Sequence, residues 1–335
     1  MRLALAVAFL LLFNGGDARA DQIQRLLMGE TPLQYGNGKT AEYVPVSFMR
    51  LYKDRTITVH GGLFLPPGDQ PVPVMILAHG SGGLHDREFI YAREFLDMGV
   101  GALVLDFFTP RGISSTFTDQ KLVPLGPLVE DVLKSFVSIS TLPRVDASHV
   151  GLIGFSKGGA VAVNAARAHW YDMPAFKGIR FALDIILYPG CGIQPYPSTT
   201  TGTPMYMLLG EKDTYTGVEK CTLWADKFKA AGASISVKIY PGAAHAWDTA
   251  DSLGDLPTGE NLLRCLFEQQ PDGTWKESSS GALMKNLSGE KYHRALDACR
   301  TYGVSERYDA ALAAETMEDV KTMVRQNLLP PPMAP

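Results

Sequence analysis

From about residue 43 the chain alternates short apolar runs with amphipathic stretches. Val44, Val46 and Phe48 alternate with polar or small residues, and Ile57, Val59 and Leu63 do the same, the pattern of edge strands. Six near-continuous apolar runs follow: Pro73 to Ala78, Gly101 to Phe107, Val150 to Phe155, Ala182 to Tyr188, Met205 to Leu209 and Ile235 to Tyr240. Runs of that length without alternation are what parallel strands look like when both faces are covered. Between them lie helical patterns. Val129, Val132, Leu133, Phe136 and Val137 follow the i, i+3, i+4, i+7, i+8 rule, and Ala160 to Trp170 and Val218 to Ala231 are also helix-like.

Strand and helix in alternation predict an α/β fold, a mostly parallel, doubly wound sheet flanked by helices and joined by right-handed crossovers. After His245 the rhythm changes. Leu262 to Phe267, the turn signal Pro271-Asp272-Gly273 and Thr274-Trp275 predict a hairpin, and Ser278 to Gly281 a loop. Tyr308 to Leu328 returns to a helical stripe through Ala311, Ala314, Met317, Val320 and Val324. Residues 258–304 are therefore expected to be an insertion before the last helix, within a single domain spanning 21–329. Residues 330–335 are expected to be a disordered proline-rich tail.

Composition narrows the class of protein. The 335 residues are 46% hydrophobic and 20% charged, a globular balance. Lys plus Arg is 31 against 35 Asp plus Glu, a net charge of -4, without the basic surplus of a nucleic-acid binder. The first twenty residues have the three parts of a secretory signal: Arg2, the apolar run Leu3 to Phe13, and the small-x-small site Ala18-Arg19-Ala20. The run is shorter than the ~20 residues that span a bilayer. A secreted or periplasmic protein with no membrane anchor after signal removal is expected, starting at Asp21.

Export bears on the four cysteines, because an oxidising compartment preserves disulfides. Cys191 follows one strand end and Cys221 starts a helix beyond the next, so adjacent strand ends bring them together. Cys265 and Cys299 bracket the insertion. Cys191–Cys221 and Cys265–Cys299 are the expected pairs among the three connectivities that four cysteines permit. On a loop-entropy model the second pair adds about 3–4 kcal/mol. No C-x₂₋₄-C pair suggests a zinc site.

Candidate chemistry starts at Gly154-Phe155-Ser156-Lys157-Gly158, a G-x-S-x-G motif with an apolar run before it and a helical pattern after it. That context puts Ser156 on a tight strand-to-helix turn, with glycines relieving the crowding and the helix N-terminus beside the serine. A serine nucleophile needs a base and an orienting acid, and in this kind of sheet they follow in the order Ser, Asp or Glu, His. Gly210-Glu211-Lys212-Asp213 follows one strand end, and Pro241 to His245 follows the last. Asp213 is the expected acid, with Glu211 and Asp248 as competitors, and His245 the expected base. His79 lies in the His79-Gly80-Ser81-Gly82-Gly83 loop, where it is expected to shape the loop. The oxyanion hole is expected to use the backbone N–H of Lys157 and that of Ser81, with Gly82 the next candidate.

The chain resembles the dienelactone hydrolase family of the α/β-hydrolase superfamily. The resemblance runs from about Tyr43 to Leu328 and rests on LAHGSGG (77–83), LDFFTPRG (105–112), GLIGFSKGG (151–159), YPGC (188–191), LLGEKDTYT (208–216) and YPGAAHAWD (240–248). It implies hydrolysis of a small-molecule ester or lactone through a covalent acyl intermediate, with no cofactor, and Ser156, Asp213 and His245 as the triad. The founding enzymes of the family carry a cysteine nucleophile, so Ser156 points to an esterase branch rather than to dienelactone itself. Arg111 in the TPRG segment leaves two readings open, loop bonding and substrate contact. Two rival functions share these motifs: an exported serine peptidase, and a non-catalytic binding protein on the same scaffold.

Overall fold

The computed structural model describes residues 18–196 and 199–329. Most of the expected leader (1–17) and the expected tail (330–335) lie outside the described residues. Eight strands form the central sheet: β1 (Glu42–Tyr52), β2 (Arg55–Leu65), β3 (Val72–Ala78), β4 (Gly101–Asp106), β5 (Val145–Phe155), β6 (Leu183–Leu187), β7 (Met205–Gly210) and β8 (Ile235–Tyr240). Their spatial order is β1-β2-β4-β3-β5-β6-β7-β8. The β1–β2 and β2–β4 pairs are antiparallel, and every other neighbouring pair is parallel.

Seven α-helices accompany the sheet among the described residues: α1 (Ala18–Leu27), α2 (Asp86–Asp97), α3 (Leu125–Ile139), α4 (Lys157–Ala165), α5 (Glu219–Ala230), α6 (Gly289–Cys299) and α7 (Ala310–Asn327). The unbroken apolar runs are explained by burial on both faces. On β3, Val74 and Ile76 join a core with Val132 and Phe136 of α3, Val161 of α4 and Trp224 of α5. The alternate residues Met75 and Leu77 join a second core with Leu27 of α1, Phe95 of α2 and Val324 of α7. A two-residue period thus splits one strand between two hydrophobic layers.

Two elements differ from the sequence reading. The helix expected over 160–170 ends at Ala165, because Arg167 is extended (φ -74°, ψ 130°) and bridges Thr200; a 3₁₀ turn then covers Ala168–Trp170. The segment expected as insertion holds more than a hairpin. Phe267–Gln269 pairs antiparallel with Trp275–Glu277 and parallel with Ile193–Gln194. α6 follows, and Thr301–Ser305 then pairs antiparallel with Asp255–Asn261. Cys265, Phe267, Met284, Ala295, Leu296 and Cys299 give this region a small core of its own. Disulfides join Cys191 to Cys221 and Cys265 to Cys299.

Candidate active site

Ser156 stands between the end of β5 and the start of α4, with φ +53° and ψ -111°. An L-residue adopts such a conformation only under constraint. Ser156, Tyr188 and Ala246 are three of the four non-glycine residues with positive φ among the described residues, and all three meet around one histidine. The glycines of the motif answer to space. A Cβ on Gly154 would lie 2.1 Å from the Gly158 carbonyl oxygen, and one on Gly158 would lie 1.9 Å from the Ala78 carbonyl oxygen. Only glycine lets α4 start this close to β3 and β5.

Asp213 follows β7 and His245 follows β8, so parallel strand ends deliver both side chains to the serine. His245 Nε2 lies 3.0 Å from Ser156 Oγ, and His245 Nδ1 lies 2.7 Å from Asp213 Oδ2. An ionised carboxylate only accepts, so the imidazole proton sits on Nδ1 and the Nε2 lone pair faces the serine hydroxyl. The ring is packed between Tyr188 and Tyr215, each with its centroid 4.8 Å away. Asp213 Oδ1 accepts from the backbone N–H groups of Tyr215 and Thr216, and its Oδ2 accepts from Thr216 Oγ1 at 2.7 Å. Burial acts to raise the Asp213 carboxyl, but the charge and hydrogen bond of His245 and the bonds from Thr216 outweigh it and hold it at about 2. Burial acts to lower His245, and the Asp213 carboxylate outweighs it, so the imidazole is raised above its ordinary value.

The competing carboxylates lie elsewhere. Glu211 accepts from the Gly242 backbone N–H at the surface. Asp248 accepts from Tyr188 OH at 2.6 Å and Tyr91 OH at 2.9 Å. His79 is buried: its Nε2 accepts from the Phe107 N–H and its Nδ1 faces the Gly80 carbonyl, so both nitrogens hold the loop. Arg111 donates to the Phe107 carbonyl and to Asp131 Oδ2, each at 2.6 Å, and stacks on Tyr52; of its two readings the structure gives loop bonding.

The HGSGG loop runs beside the serine, since a Cβ on Gly80 would lie 3.3 Å from Ser156 Cβ. Ser81 and Lys157 border the same cavity as Ser156, and Gly82 borders a smaller one next to it. The Lys157 side chain was not foreseen as part of the site. Its Nζ donates to the Gln120 carbonyl at 2.9 Å and to Thr116 Oγ1 and Gln120 Oε1 at 3.2 Å. Burial among these neutral acceptors pushes the ammonium down to about 7. Gln120 is a hub that also accepts from Ser81 Oγ and donates to Tyr215 OH. Glu260, from the segment expected as an insertion, accepts from the Gln120 backbone N–H at 2.6 Å. Gln120 lies in none of the motifs marked above, and Thr216, although it ends the LLGEKDTYT segment, was given no role there. The only cue was the short distance of Thr216 from Asp213.

The cavity has a volume of about 560 Å³. Ser156, Lys157, Ala160 and Asn164 line one side, and Leu262, Leu263, Phe267, Trp275, Tyr292 and Leu296 of the inserted region are on its lining as well.

The sequence profile of the dienelactone hydrolase family matches residues 59–256, more than half of the chain. The chain belongs to the dienelactone hydrolase family. Like its relatives it is a hydrolase acting on ester bonds, and its substrates are small molecules. The matched segment contains Ser156, Asp213 and His245, whereas residues 258–304 lie beyond its end. An alpha/beta hydrolase enzyme from a Medee basin deep-sea metagenome library is 13% identical, covers 86% of this chain and 98% of its own, and superposes with a TM-score of 0.51, which shows the shared fold. A dienelactone hydrolase from Anabaena variabilis is 20% identical over 61% of this chain and 88% of its own, with a TM-score of 0.46. A dienelactone hydrolase-like promiscuous phosphotriesterase from metagenomic libraries is 16% identical over 85% of this chain and 98% of its own, with a TM-score of 0.49. No curated protein matches the chain.

Proposed function

We propose that this dienelactone hydrolase family member is an exported serine hydrolase that cleaves a carboxylic ester or lactone through an acyl-enzyme, with Ser156, His245 and Asp213 as its triad. The observation that carries the reading is the continuous chain Ser156 Oγ, His245 Nε2, His245 Nδ1, Asp213 Oδ2, with links of 3.0 and 2.7 Å. Ser156 Oγ bonds to the carbonyl carbon as its proton passes to His245 Nε2. The tetrahedral intermediate collapses, the alcohol oxygen leaves, and it takes that proton from His245. Water then attacks the acyl carbon, gives a proton to His245, and releases the carboxylic acid as Ser156 regains its proton. Asp213 holds the tautomer and stabilises the imidazolium in both halves.

The oxyanion is held by the backbone N–H of Lys157, at the positive end of α4, and by that of Ser81, with Gly82 beside it. Loss of one such donor typically costs about 10²–10³ in rate. Export is supported by the signal pattern of residues 1–20 and by two disulfides, the bonding state of an oxidising compartment. Among the described residues no helix is long and apolar enough to cross a membrane.

Ser156→Ala is expected to abolish turnover of p-nitrophenyl acetate by the purified protein while leaving its circular dichroism unchanged. Undiminished turnover by this variant overturns the assignment.

A further inference from the structure

The surroundings of Ser156 are lopsided. On one side is the 560 Å³ cavity, within the roughly 300–1,000 Å³ of pockets that enclose a drug-sized molecule. On the other is a space of about 20 Å³, bordered by Ser156, His245, Ala246, His85 and Glu306. That is room for about one water. Ser81 borders both spaces, but among the described residues Lys157 lines only the large one and His245 only the small one.

An ester carbonyl bound to Ser156 Oγ has three remaining directions. The oxyanion points to the donor N–H groups, and the alcohol oxygen must reach His245 Nε2 to receive its proton. The third substituent, the acyl chain, is directed away from His245. We infer that the large cavity is an acyl chamber, and that the enzyme's substrates are esters of a bulky apolar carboxylic acid with a small alcohol. This rests on the triad reading and extends it to the substrate class.

The lining fits that occupant. Ser156, Ala160 and Asn164 recur every four residues along α4, so the chamber runs about 12 Å from the nucleophile at 1.5 Å per residue. Opposite stand Leu262, Leu263, Phe267 and Leu296, contributed by the inserted region. Two of the four Lys and Arg side chains on the wall are turned to other partners. Lys157 donates to Thr116 and Gln120, and Lys220 donates to the carbonyls of Leu263 and Cys265. Lys121 and Arg167 are on the lining too; Arg167 lies beyond the C-terminal end of α4, about as far from Ser156 as the chamber runs, and its buried Nε has no hydrogen-bond partner among the described residues. Both disulfides brace this wall: Cys191 and Cys265 lie on the lining, and Cys265 is bonded to the end of α6. The chamber is therefore a fixed feature of the chain, with one part of its wall, Glu260 to Leu296, contributed from beyond the family's common segment.

An isomeric pair tests the direction of binding. Ethyl hexanoate and hexyl acetate have the same formula and differ in which side of the ester carries the chain. The wild-type enzyme is expected to show at least tenfold higher kcat/KM for ethyl hexanoate. Along ethyl acetate, butanoate and hexanoate, kcat/KM is expected to rise by up to about fourfold per methylene, the fold-change that matches burial of one CH₂. A second test fills the chamber. Gly126 of α3 is on the lining, and a Cβ there would meet no atom within 4 Å. Gly126→Phe is expected to lower kcat/KM for ethyl hexanoate at least tenfold more than for ethyl acetate.

Equal or better turnover of hexyl acetate overturns the acyl assignment, as does a flat acyl series, even when Ser156 reacts normally with a fluorophosphonate. No labelling of Ser156 and no turnover of any ester overturns the triad reading, and the chamber assignment with it.

Discussion

Asp213 is buried and Asp248 partly buried; each lies three residues from a neighbour in the site, Thr216 and His245 respectively, in a loop beyond a strand end. Their partners set them apart. Asp213 accepts from one imidazole, one hydroxyl and two backbone N–H groups, and its pKa falls to about 2. Asp248 accepts from two tyrosine hydroxyls, and burial raises its pKa despite the nearby Arg87. Proximity to His245 in sequence is thus a poor guide to which carboxylate bonds its imidazole. Asp248 instead holds Tyr188, whose ring packs on His245, so it supports the site at one remove.

The largest expected difference is in rate. Asp213→Asn is expected to lower kcat by about 10⁴, the scale seen when a triad carboxylate loses control of the tautomer. Asp248→Asn is expected to change kcat less than tenfold, because one amide can still bond both tyrosines. Steady-state kinetics on a short ester compares them, and similar losses from the two variants would break the distinction. Next in size is Thr216→Val, which removes the hydroxyl bond to Asp213 and is expected to lower kcat roughly tenfold, about the 1.4 kcal/mol of one charged hydrogen bond.

The acid limb of the rate profile is a third expected difference. In the proposed mechanism His245 acts as a base only when neutral, and its pKa is raised, so wild-type kcat/KM is expected to begin falling while the pH is still above the ordinary imidazole value. Asp213→Asn is expected to move that limb to lower pH, and Asp248→Asn to leave it nearly in place. A pH series of kcat/KM on all three proteins reads both shifts.

The smallest expected effect is in stability, and its sign differs between the two acids. Asp213 has a depressed folded pKa, so its contribution is present above the ordinary carboxyl value and is lost as pH falls toward about 2. Asp248 has a raised folded pKa, so its contribution is present below the ordinary value and is lost as pH rises through the folded one. Thermal unfolding of Asp213→Asn is expected to lose wild-type stability at pH 6 more than at pH 3, and Asp248→Asn the reverse.

Much of this site was legible in the sequence, for physical reasons that also explain the gaps. The apolar runs at 73–78 and 150–155 announced β3 and β5 because both faces of those strands are covered, and steric demand at Gly154 and Gly158 made the turn around Ser156 visible. Asp213 was the expected acid from strand order, but what separates it from Glu211 and Asp248 is where the loops after two strands fold in space. α6 escaped notice because only Ala295, Leu296 and Cys299 are buried along it, too few to print a stripe. Thr216 acts through a bond to Asp213 only three residues away, whereas the role of Gln120 depends on a side-chain bond to Lys157 across 37 residues that no local pattern encodes.

The most direct test of the central claim is covalent. The purified protein is treated with a fluorophosphonate and digested, and the modified residue is located by mass spectrometry. A Ser156–His245–Asp213 triad predicts a single stoichiometric adduct on Ser156 that His245→Ala slows by several orders of magnitude. An unmodified Ser156, or labelling that proceeds equally well without His245, would contradict it.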